Sequence, residues 1–201
     1  MILDLHNHTI RSDDGRAKVE NYCQWIARKK LPLDGFVLTE HRLFDSESDY
    51  RALEDEYGLL ILKGSEVETD YGHVLLFGVN PDLEAAFDFG EIGLSLALVL
   101  READRCGALA VPCHPGRTQV GLCAHLESRG VVPGVLVIEN ERALDLARQQ
   151  GYKGIGGSDA HIVSHVGRCA TRFGRRIESM QGLVTELRRG GYEAIQLASQ
   201  S

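Results

Sequence analysis

The chain has 201 residues, of which 43% are hydrophobic and 25% are charged, and this balance excludes the disordered and fibrous classes. Twenty-two lysines and arginines against 29 aspartates and glutamates give a formal net charge of −7, which argues against a surface that gathers long nucleic acid. The five cysteines are odd in number and form no CxxC pair, which is typical of reduced thiols in a cytoplasmic protein.

Targeting signals are not apparent in the sequence. Residues 1–6 lack the basic and apolar regions of a secretory signal. The longest apolar stretch, residues 92–100, is far shorter than the about 20 residues that a membrane-spanning helix needs. We therefore expect a cytoplasmic protein with no membrane association.

Short apolar runs alternate along the chain with segments of helical periodicity. Strands are predicted at residues 2–5, 36–39, 59–63, 73–79, 109–111, 135–138, 154–157 and 192–195. Helices are predicted at residues 19–27, 46–57, 96–103, 120–129, 142–150 and 183–187. This alternation is typical of an α/β fold with parallel strands and right-handed crossovers. No repeat or long linker interrupts it, so residues 1–201 are predicted to form one domain.

Histidines and carboxylates are concentrated at the ends of the predicted strands. In parallel α/β folds the strand ends and their loops converge at one edge, which carries the chemistry. The sequence therefore predicts a cluster of imidazoles and carboxylates at one mouth of the fold. The residues at these positions are His6, His8, His41, His73, His114 and His161, with Asp4, Glu40, Glu66, Glu139 and Asp159.

The spacing of His6 and His8 suits a metal ion. Residues i and i+2 of an extended strand point to the same face, so both imidazoles reach one ion without bending the backbone. Asp159 and His161 repeat this spacing beside two glycines. Imidazole and carboxylate without paired thiolates suit Zn²⁺, Mn²⁺ or iron. Cys113 lies on an apolar run, and strand alternation predicts that its thiol points into the core rather than at the metals.

Five ordered motifs resemble those of the polymerase and histidinol phosphatase (PHP) domain. The opening motif runs Asp4-Leu5-His6-Asn7-His8-Thr9 and continues with Ser12-Asp13-Asp14-Gly15. The remaining motifs are Leu38-Thr39-Glu40-His41, Gly64-Ser65-Glu66-Val67, His114-Pro115 and Gly157-Ser158-Asp159-Ala160-His161. The resemblance spans nearly the whole chain and implies a distorted (β/α)7 barrel. That architecture would fit in 201 residues, whereas a closed eight-stranded barrel usually needs roughly 250.

The resemblance also implies two or three divalent ions, Zn²⁺, Mn²⁺ or iron, held by nine ligands. The first ion would be bound by His6, His8, Glu66 and Asp159; Glu66 would bridge to a second, bound also by His73 and His114; and a third would be bound by Asp14, His41 and His161. Asp14 is preferred because it precedes Gly15, with Asp13 as the alternative. Glu40 stands where the family commonly has aspartate and is expected outside the ligand set. Glu139 and Asn140 either orient ligands or simply end a strand.

Such ions predict hydrolysis of a small phosphate ester by metal-activated water, with cations roughly 3.5–4 Å apart. Asp159, His161 and Glu66 are the candidate catalytic residues, the first two as groups that handle protons while ligating. Arg42, Arg117 and Arg168 are candidates for binding the phosphate, because arginine offers a bidentate fork, although each is equally consistent with an ordinary surface residue.

Three other functions stay open. A nuclease or nucleotide phosphodiesterase acting on short oligonucleotides is compatible with the acidic charge, which argues only against long nucleic acid. An amidohydrolase-like enzyme shares an early HxH and a late aspartate, but Glu66 as the bridging candidate favours the phosphoesterase. A non-catalytic, metal-stabilised partner module is the third. The sequence does not fix the oligomeric state.

Overall fold

The computed structural model describes residues 1–130, 134–135, 137–139 and 152–197, and they form a mixed α/β fold. The strands are β1 (Ile2–Asn7), β2 (Gly35–His41), β3 (Leu60–Thr69), β4 (Gly72–Phe77), β5 (Leu109–Pro112), β6 (Val137–Glu139), β7 (Lys153–Ile155), β8 (Cys169–Phe173) and β9 (Tyr192–Gln196). The helices in this part of the chain are α1 (Val19–Lys29), α2 (Arg51–Tyr57), α3 (Pro81–Glu84), α4 (Leu96–Arg105), α5 (Leu122–Arg129) and α6 (Met180–Arg189). The predicted helix at 142–150 and Asn140 lie outside the described residues.

Seven strands form one sheet in the order β5-β4-β3-β2-β1-β8-β9, and β6 and β7 form a separate parallel pair. Strands β1, β2 and β3 are parallel to one another. The expectation that the strands are parallel throughout is wrong, because β4 is antiparallel to β3 and β5, and β8 is antiparallel to β1 and β9. Two residues separate β3 from β4, which is enough for a hairpin and far too few for a crossover.

The α/β class is confirmed, and the described strands make a curled half-barrel. A parallel bridge between Asn7 and Ala160 ties the chain after β7 to the carboxyl end of β1. The closed, distorted (β/α)7 barrel implied by the motifs remains a prediction.

The helices pack against the sheet through apolar faces with helical spacing. In α4 the buried side chains are Leu96, Val99, Leu100 and Ala103. The hydroxyl of Ser95 caps this helix by accepting a hydrogen bond from the Leu98 amide at 3.4 Å. Helix α6 buries Leu183, Val184 and Leu187 and ends at Gly190 in the left-handed conformation. These faces join the buried apolar clusters that pack against the sheet.

The strand directions bring all five sequence motifs to one edge. The carboxyl ends of β1, β2 and β3 lie there because these strands are parallel. The start of β4 lies there because β4 runs the other way, and the end of β5 because it reverses once more. No helix in the described part of the chain is long and apolar enough to cross a bilayer.

Candidate metal centre

The first predicted metal position is assembled from three elements and is buried. The Nε2 atoms of His6 and His8 lie 2.8 and 3.0 Å from Glu66 Oε2. The Oδ1 atom of Asp159 lies 3.4 and 3.2 Å from the same two nitrogens. The four ligand atoms all lie within 4.8 Å of one another, so they could surround a single ion.

The outward-facing nitrogen of three imidazoles is hydrogen-bonded, which fixes the orientation of each ring. The Nδ1–H of His6 donates to Glu139 Oε1 at 2.8 Å, and that of His8 donates to the Ser12 hydroxyl at 3.3 Å. The Nδ1–H of His161 donates to the backbone carbonyl of Asp159 at 3.0 Å. In each ring the Nε2 lone pair therefore faces the cluster, as in histidines that ligate metals.

The third predicted position lies nearer the surface. Asp14 Oδ2 lies 2.9 Å from His161 Nε2 and 3.4 Å from His41 Nε2. These three ligand atoms and one of His8 lie within 4.8 Å of one another. Asp13 turns away and pairs with Arg42 instead. The geometry thus brings Asp14, and not Asp13, to the cluster.

The second predicted position is built around the other oxygen of Glu66. The Nδ1 of His73 lies 2.7 Å from Glu66 Oε1, and the Nε2 of His114 lies 3.1 Å from it. Cys113 joins them, because its Sγ lies 3.2 Å from the same oxygen. The thiol lies in a buried apolar cluster with Val111, as strand alternation predicts, but the expectation that it points away from the metal ligands is wrong, because its Sγ contacts Glu66. The departure from alternation comes one residue later, at His114, whose φ is +31°.

Unusual backbone conformations mark the loops of the site. His114, Asp159 and Arg42 all have positive φ, at 31°, 47° and 56°. Such conformations are sparsely populated by residues other than glycine and tend to be retained at functional positions. Two of the three residues are proposed ligands. Only glycine fits at position 157, because neighbouring side chains lie too close for a Cβ. A Cβ there would lie 2.3 Å from Glu139 Oε1 and 2.5 Å from His6 Cβ.

The charges in the cluster are strongly coupled. Burial opposes the imidazolium form, but Glu139 and Glu66 outweigh burial and hold the pKa of His6 well above its usual range. The pKa of His8 is likewise raised to about 9, against burial, by Asp159 and Glu66. Burial alone would raise the pKa of Glu66 and of Asp159. The facing imidazoles, His6 foremost, outweigh burial, so both pKa values lie well below the usual range. The cluster therefore holds ionised carboxylates that need positive charge beside them.

The residues present fit divalent cations. The Nε2 atoms of His6 and His8 lie 2.9 Å apart, close enough for both to bind one cation. Among the described residues, Asp14 Oδ1, His41 Nδ1 and His114 Nδ1 are buried atoms without a hydrogen-bond partner. An unmet buried polar atom costs about 1–3 kcal/mol. The donor set of imidazoles and carboxylates matches that of zinc, manganese and iron sites.

The three arginines proposed to bind phosphate occupy different settings. Arg117 Nη2 lies 2.5 Å from Asp159 Oδ2, and its side chain is half exposed. The guanidinium of Arg42 forms ion pairs with two carboxylates, those of Asp13 and Glu68. Arg168 is exposed, and its backbone pairs with His165 and Leu197. The structure thus brings only Arg117, of these three described arginines, into contact with the cluster.

Three supporting residues hold the loops of the cluster in place. The hydroxyl of Tyr22 donates to the carbonyls of His8 and Ala160, at 2.6 and 2.9 Å. Asp4 accepts hydrogen bonds from the amides of Ser158 and Gly167, and burial raises its pKa to about 6. Glu40 accepts from the Thr9 amide and from the hydroxyls of Thr9 and Ser12. The strand-end position signalled Asp4 and Glu40, whereas Tyr22 occupies an ordinary apolar helix position.

The fold and the cluster define an α/β protein with a preformed set of metal-binding side chains at one mouth. A search of curated proteins finds no match. A family model described as PHP-associated matches residues 137–192.

Solved structures with the same fold include PsfC from Pseudomonas syringae, 19% identical, with 98% of this chain and 91% of that chain covered and a TM-score of 0.72. A two-domain Bacteroides vulgatus protein containing a predicted PHP-like metal-dependent phosphoesterase is 20% identical, with 98% and 64% covered and a TM-score of 0.66. The lesion-specific endonuclease PfuEndoQ from Pyrococcus furiosus is 16% identical, with 96% and 58% covered and a TM-score of 0.72.

The chain therefore spans less than two thirds of the Bacteroides and Pyrococcus proteins. At these identities the likeness concerns the fold. The PHP-associated match over residues 137–192 agrees with the resemblance of the five motifs to the PHP domain.

Proposed function

We propose that the chain is a metal-dependent phosphoesterase that hydrolyses a small phosphate ester. The observation that carries the proposal is the arrangement around Glu66. Its Oε2 faces His6 and His8, and its Oε1 faces His73 and His114, so one buried carboxylate lies between two groups of nitrogens. A carboxylate in this position is suited to bridging two cations, and paired cations are suited to phosphate esters.

The proposed ligands are those predicted from the motifs: His6, His8, Asp14, His41, Glu66, His73, His114, Asp159 and His161. Bound divalent ions lower the pKa of a coordinated water and neutralise the charge of a phosphate group. The rest of the chemistry belongs to the side chains. Glu139 and Ser12 hold the rings of His6 and His8, so the first position is preorganised before substrate enters.

Arg117 is the best placed of the arginines to bind the substrate. One side of its guanidinium contacts Asp159, and the half-exposed remainder is free to meet the non-bridging oxygens of a phosphate at the mouth. Arg42 is instead assigned to holding the Asp13–Asp14 turn, through its pairs with Asp13 and Glu68. Arg168 remains a more distant candidate.

His161 and Asp159 are proposed to handle protons. The side chain of His161 is 26% exposed, whereas those of His6 and His8 are fully buried, so His161 can exchange protons with substrate or solvent. Its Nδ1 contacts the Asp159 backbone and lies 3.5 Å from Asp159 Oδ1. Glu66, enclosed by imidazoles, serves as the bridge and not as a proton carrier.

A nuclease acting on short oligonucleotides is the second candidate, favoured by the fold shared with PfuEndoQ. The two candidate functions differ in substrate, because a phosphatase needs a terminal phosphate and a nuclease needs a phosphodiester. The phosphoesterase proposal also includes a small phosphorylated substrate, a closed barrel and a cytoplasmic location. An amidohydrolase-like reaction and a non-catalytic module are the alternatives if no phosphate ester is hydrolysed, and activity on cyclic amides would separate the first from the second.

The test is hydrolysis of p-nitrophenyl phosphate and bis-p-nitrophenyl phosphate by metal-free protein and by protein reloaded with Mn²⁺ or Zn²⁺. We expect turnover of one ester only in the reloaded protein. Turnover and metal content should both fall in His8→Ala and persist in His125→Ala, a histidine bonded to Gln119 outside the cluster. Metal-loaded protein that hydrolyses neither these esters nor a broad phosphoester panel would refute the proposal.

A further inference from the structure

Cys113 is the buried thiol of the cluster that the nine-ligand scheme leaves unused. Its Sγ lies 3.2 Å from Glu66 Oε1 and 3.4 Å from His114 Nε2. Those two atoms are themselves 3.1 Å apart. Sulfur, oxygen and nitrogen thus form a nearly regular triangle, and Cys113 and Glu66 are fully buried.

The triangle has the size of one face of a tetrahedral zinc site. Zinc binds sulfur at about 2.3 Å and nitrogen or oxygen at about 2.0–2.2 Å, so neighbouring ligand atoms are roughly 3.4–3.6 Å apart. The observed separations of 3.1–3.4 Å are within a few tenths of an ångström of those values. One cation centred over the triangle would therefore contact all three atoms after small side-chain adjustments.

The order of the side chains at the end of β5 also points to a ligand. Val111 and Cys113 lie in one buried cluster, so strand alternation continues as far as the thiol. The positive φ of His114 places two successive side chains, Cys113 and His114, on the same oxygen of Glu66. Alternation alone would direct the side chains of Cys113 and His114 to opposite sides, so the turn at His114 brings thiol and imidazole to one position.

We propose that Cys113 binds the second metal ion as a thiolate, together with Glu66 and His114. The thiol proton is released to solvent when the ion binds. Thiolate is a soft ligand, so this position should select zinc or ferrous iron over manganese or magnesium, whereas the other positions offer only nitrogen and oxygen. The inference concerns metal binding and does not depend on the reaction that the protein catalyses.

Cobalt(II) reports directly on a sulfur ligand, because cobalt bound to thiolate has an intense near-ultraviolet charge-transfer band. Wild-type protein reloaded with cobalt should show this band, and so should Cys106→Ser, a cysteine outside the cluster. Cys113→Ser should lose it. A band that persists in Cys113→Ser, or its absence from cobalt-loaded wild type, would overturn the inference.

X-ray absorption of zinc-loaded wild type gives a second measurement that needs no variant. A sulfur shell at about 2.3 Å, beside nitrogen and oxygen near 2.0–2.1 Å, supports the thiolate ligand. A spectrum with nitrogen and oxygen scatterers alone contradicts it and leaves Cys113 as a hydrogen-bond donor to Glu66. A sulfur shell in a protein that hydrolyses no phosphoester would refute the proposed function while leaving this ligand assignment intact.

Discussion

Glu139 connects two of the motifs through its two oxygens. Oε1 accepts a hydrogen bond from His6 Nδ1 at 2.8 Å, and Oε2 accepts one from the His114 amide at 3.0 Å. Its carboxylate therefore fixes a ligand of the first position and the backbone of the second. From its position at the end of a strand, the sequence did not decide whether Glu139 orients ligands or merely ends the strand. These two contacts favour the first role.

Replacing Glu139 with Gln should weaken metal binding about 10- to 100-fold, because the negative charge that orients and polarises His6 is lost. Chelator competition measures this affinity. Glu91→Gln, at an exposed position, is the control and should bind metal like wild type. Equal affinities in the two variants would show that Glu139 has no role in the metal centre.

Arg117 can be tested separately from the metals. Arg117→Gln should lower kcat/KM about 10- to 100-fold, since a charge-assisted hydrogen bond contributes about 1.5–3 kcal/mol. The metal content should be unchanged, because the Arg117 guanidinium pairs with Oδ2 of Asp159, whereas Oδ1 faces His6 and His8. Arg101→Gln is the control, since Arg101 is exposed on α4 and pairs with Glu102. Full activity of Arg117→Gln would contradict a role of Arg117 in binding the substrate.

The hairpin between β3 and β4 is the element that differs most from the prediction. In an all-parallel sheet, His73 at the start of a strand would lie at the edge opposite the other ligands. Because β4 is antiparallel, its start lies beside the ends of β1–β3, and His73 reaches Glu66. The apolar run of β4 was visible in the sequence, but its direction depends on the turn at Gly72.

Gly72→Ala should therefore disturb both the hairpin and the cluster. Gly72 has a φ of +99°, and a Cβ there would lie 2.1 Å from the Val120 carbonyl oxygen. Gly58 also has positive φ but open space around it, so Gly58→Ala should cost only the left-handed strain of about 1–2 kcal/mol. Urea unfolding should show a larger loss for Gly72→Ala, together with weaker metal binding. Equal losses would mean that the close approach to Val120 has no energetic weight.

The grouping of ligands was easier to predict than the strands. The motif resemblance implied Asp14, His41 and His161 as one group, and the structure brings them together. Strand β8 was not predicted, because its short run includes Thr171 and Arg172 and its pairing with β1 and β9 is nonlocal. The contact of Cys113 with Glu66 could not be predicted, because alternation gives the side of the strand on which a thiol lies and not the residue of another strand that faces it.

At the scale of the whole molecule, the cluster places buried charge where the strands converge. Five of the nine proposed ligands come from strands β1–β4 or the residue next to them: His6, His8, His41, Glu66 and His73. A sixth, His114, lies two residues past the end of β5. Metal binding should therefore stabilise the entire sheet and not only the loops. The formal charge of −7 includes carboxylates of this cluster, so bound cations would make the mouth locally less negative than the count suggests.

Removing the metals should lower the thermal stability. An ion at 100 times its dissociation constant adds about 2.7 kcal/mol, which corresponds to a Tm increase of roughly 5–10 °C in a chain of this size. Calorimetry of chelated and zinc-reloaded protein measures the shift. His8→Ala should show a smaller shift than His125→Ala. A Tm that is the same with and without metal would contradict a structural contribution of the ions.

The most direct test of the account is a crystal structure of the metal-loaded protein with phosphate, recorded at the absorption edges of zinc, iron and manganese. The account predicts two or three anomalous peaks around Glu66, bound by the nine proposed ligands, with phosphate oxygens facing the ions and Arg117. A metal-loaded crystal without anomalous density at Glu66, or with phosphate bound away from it, would contradict the central claim.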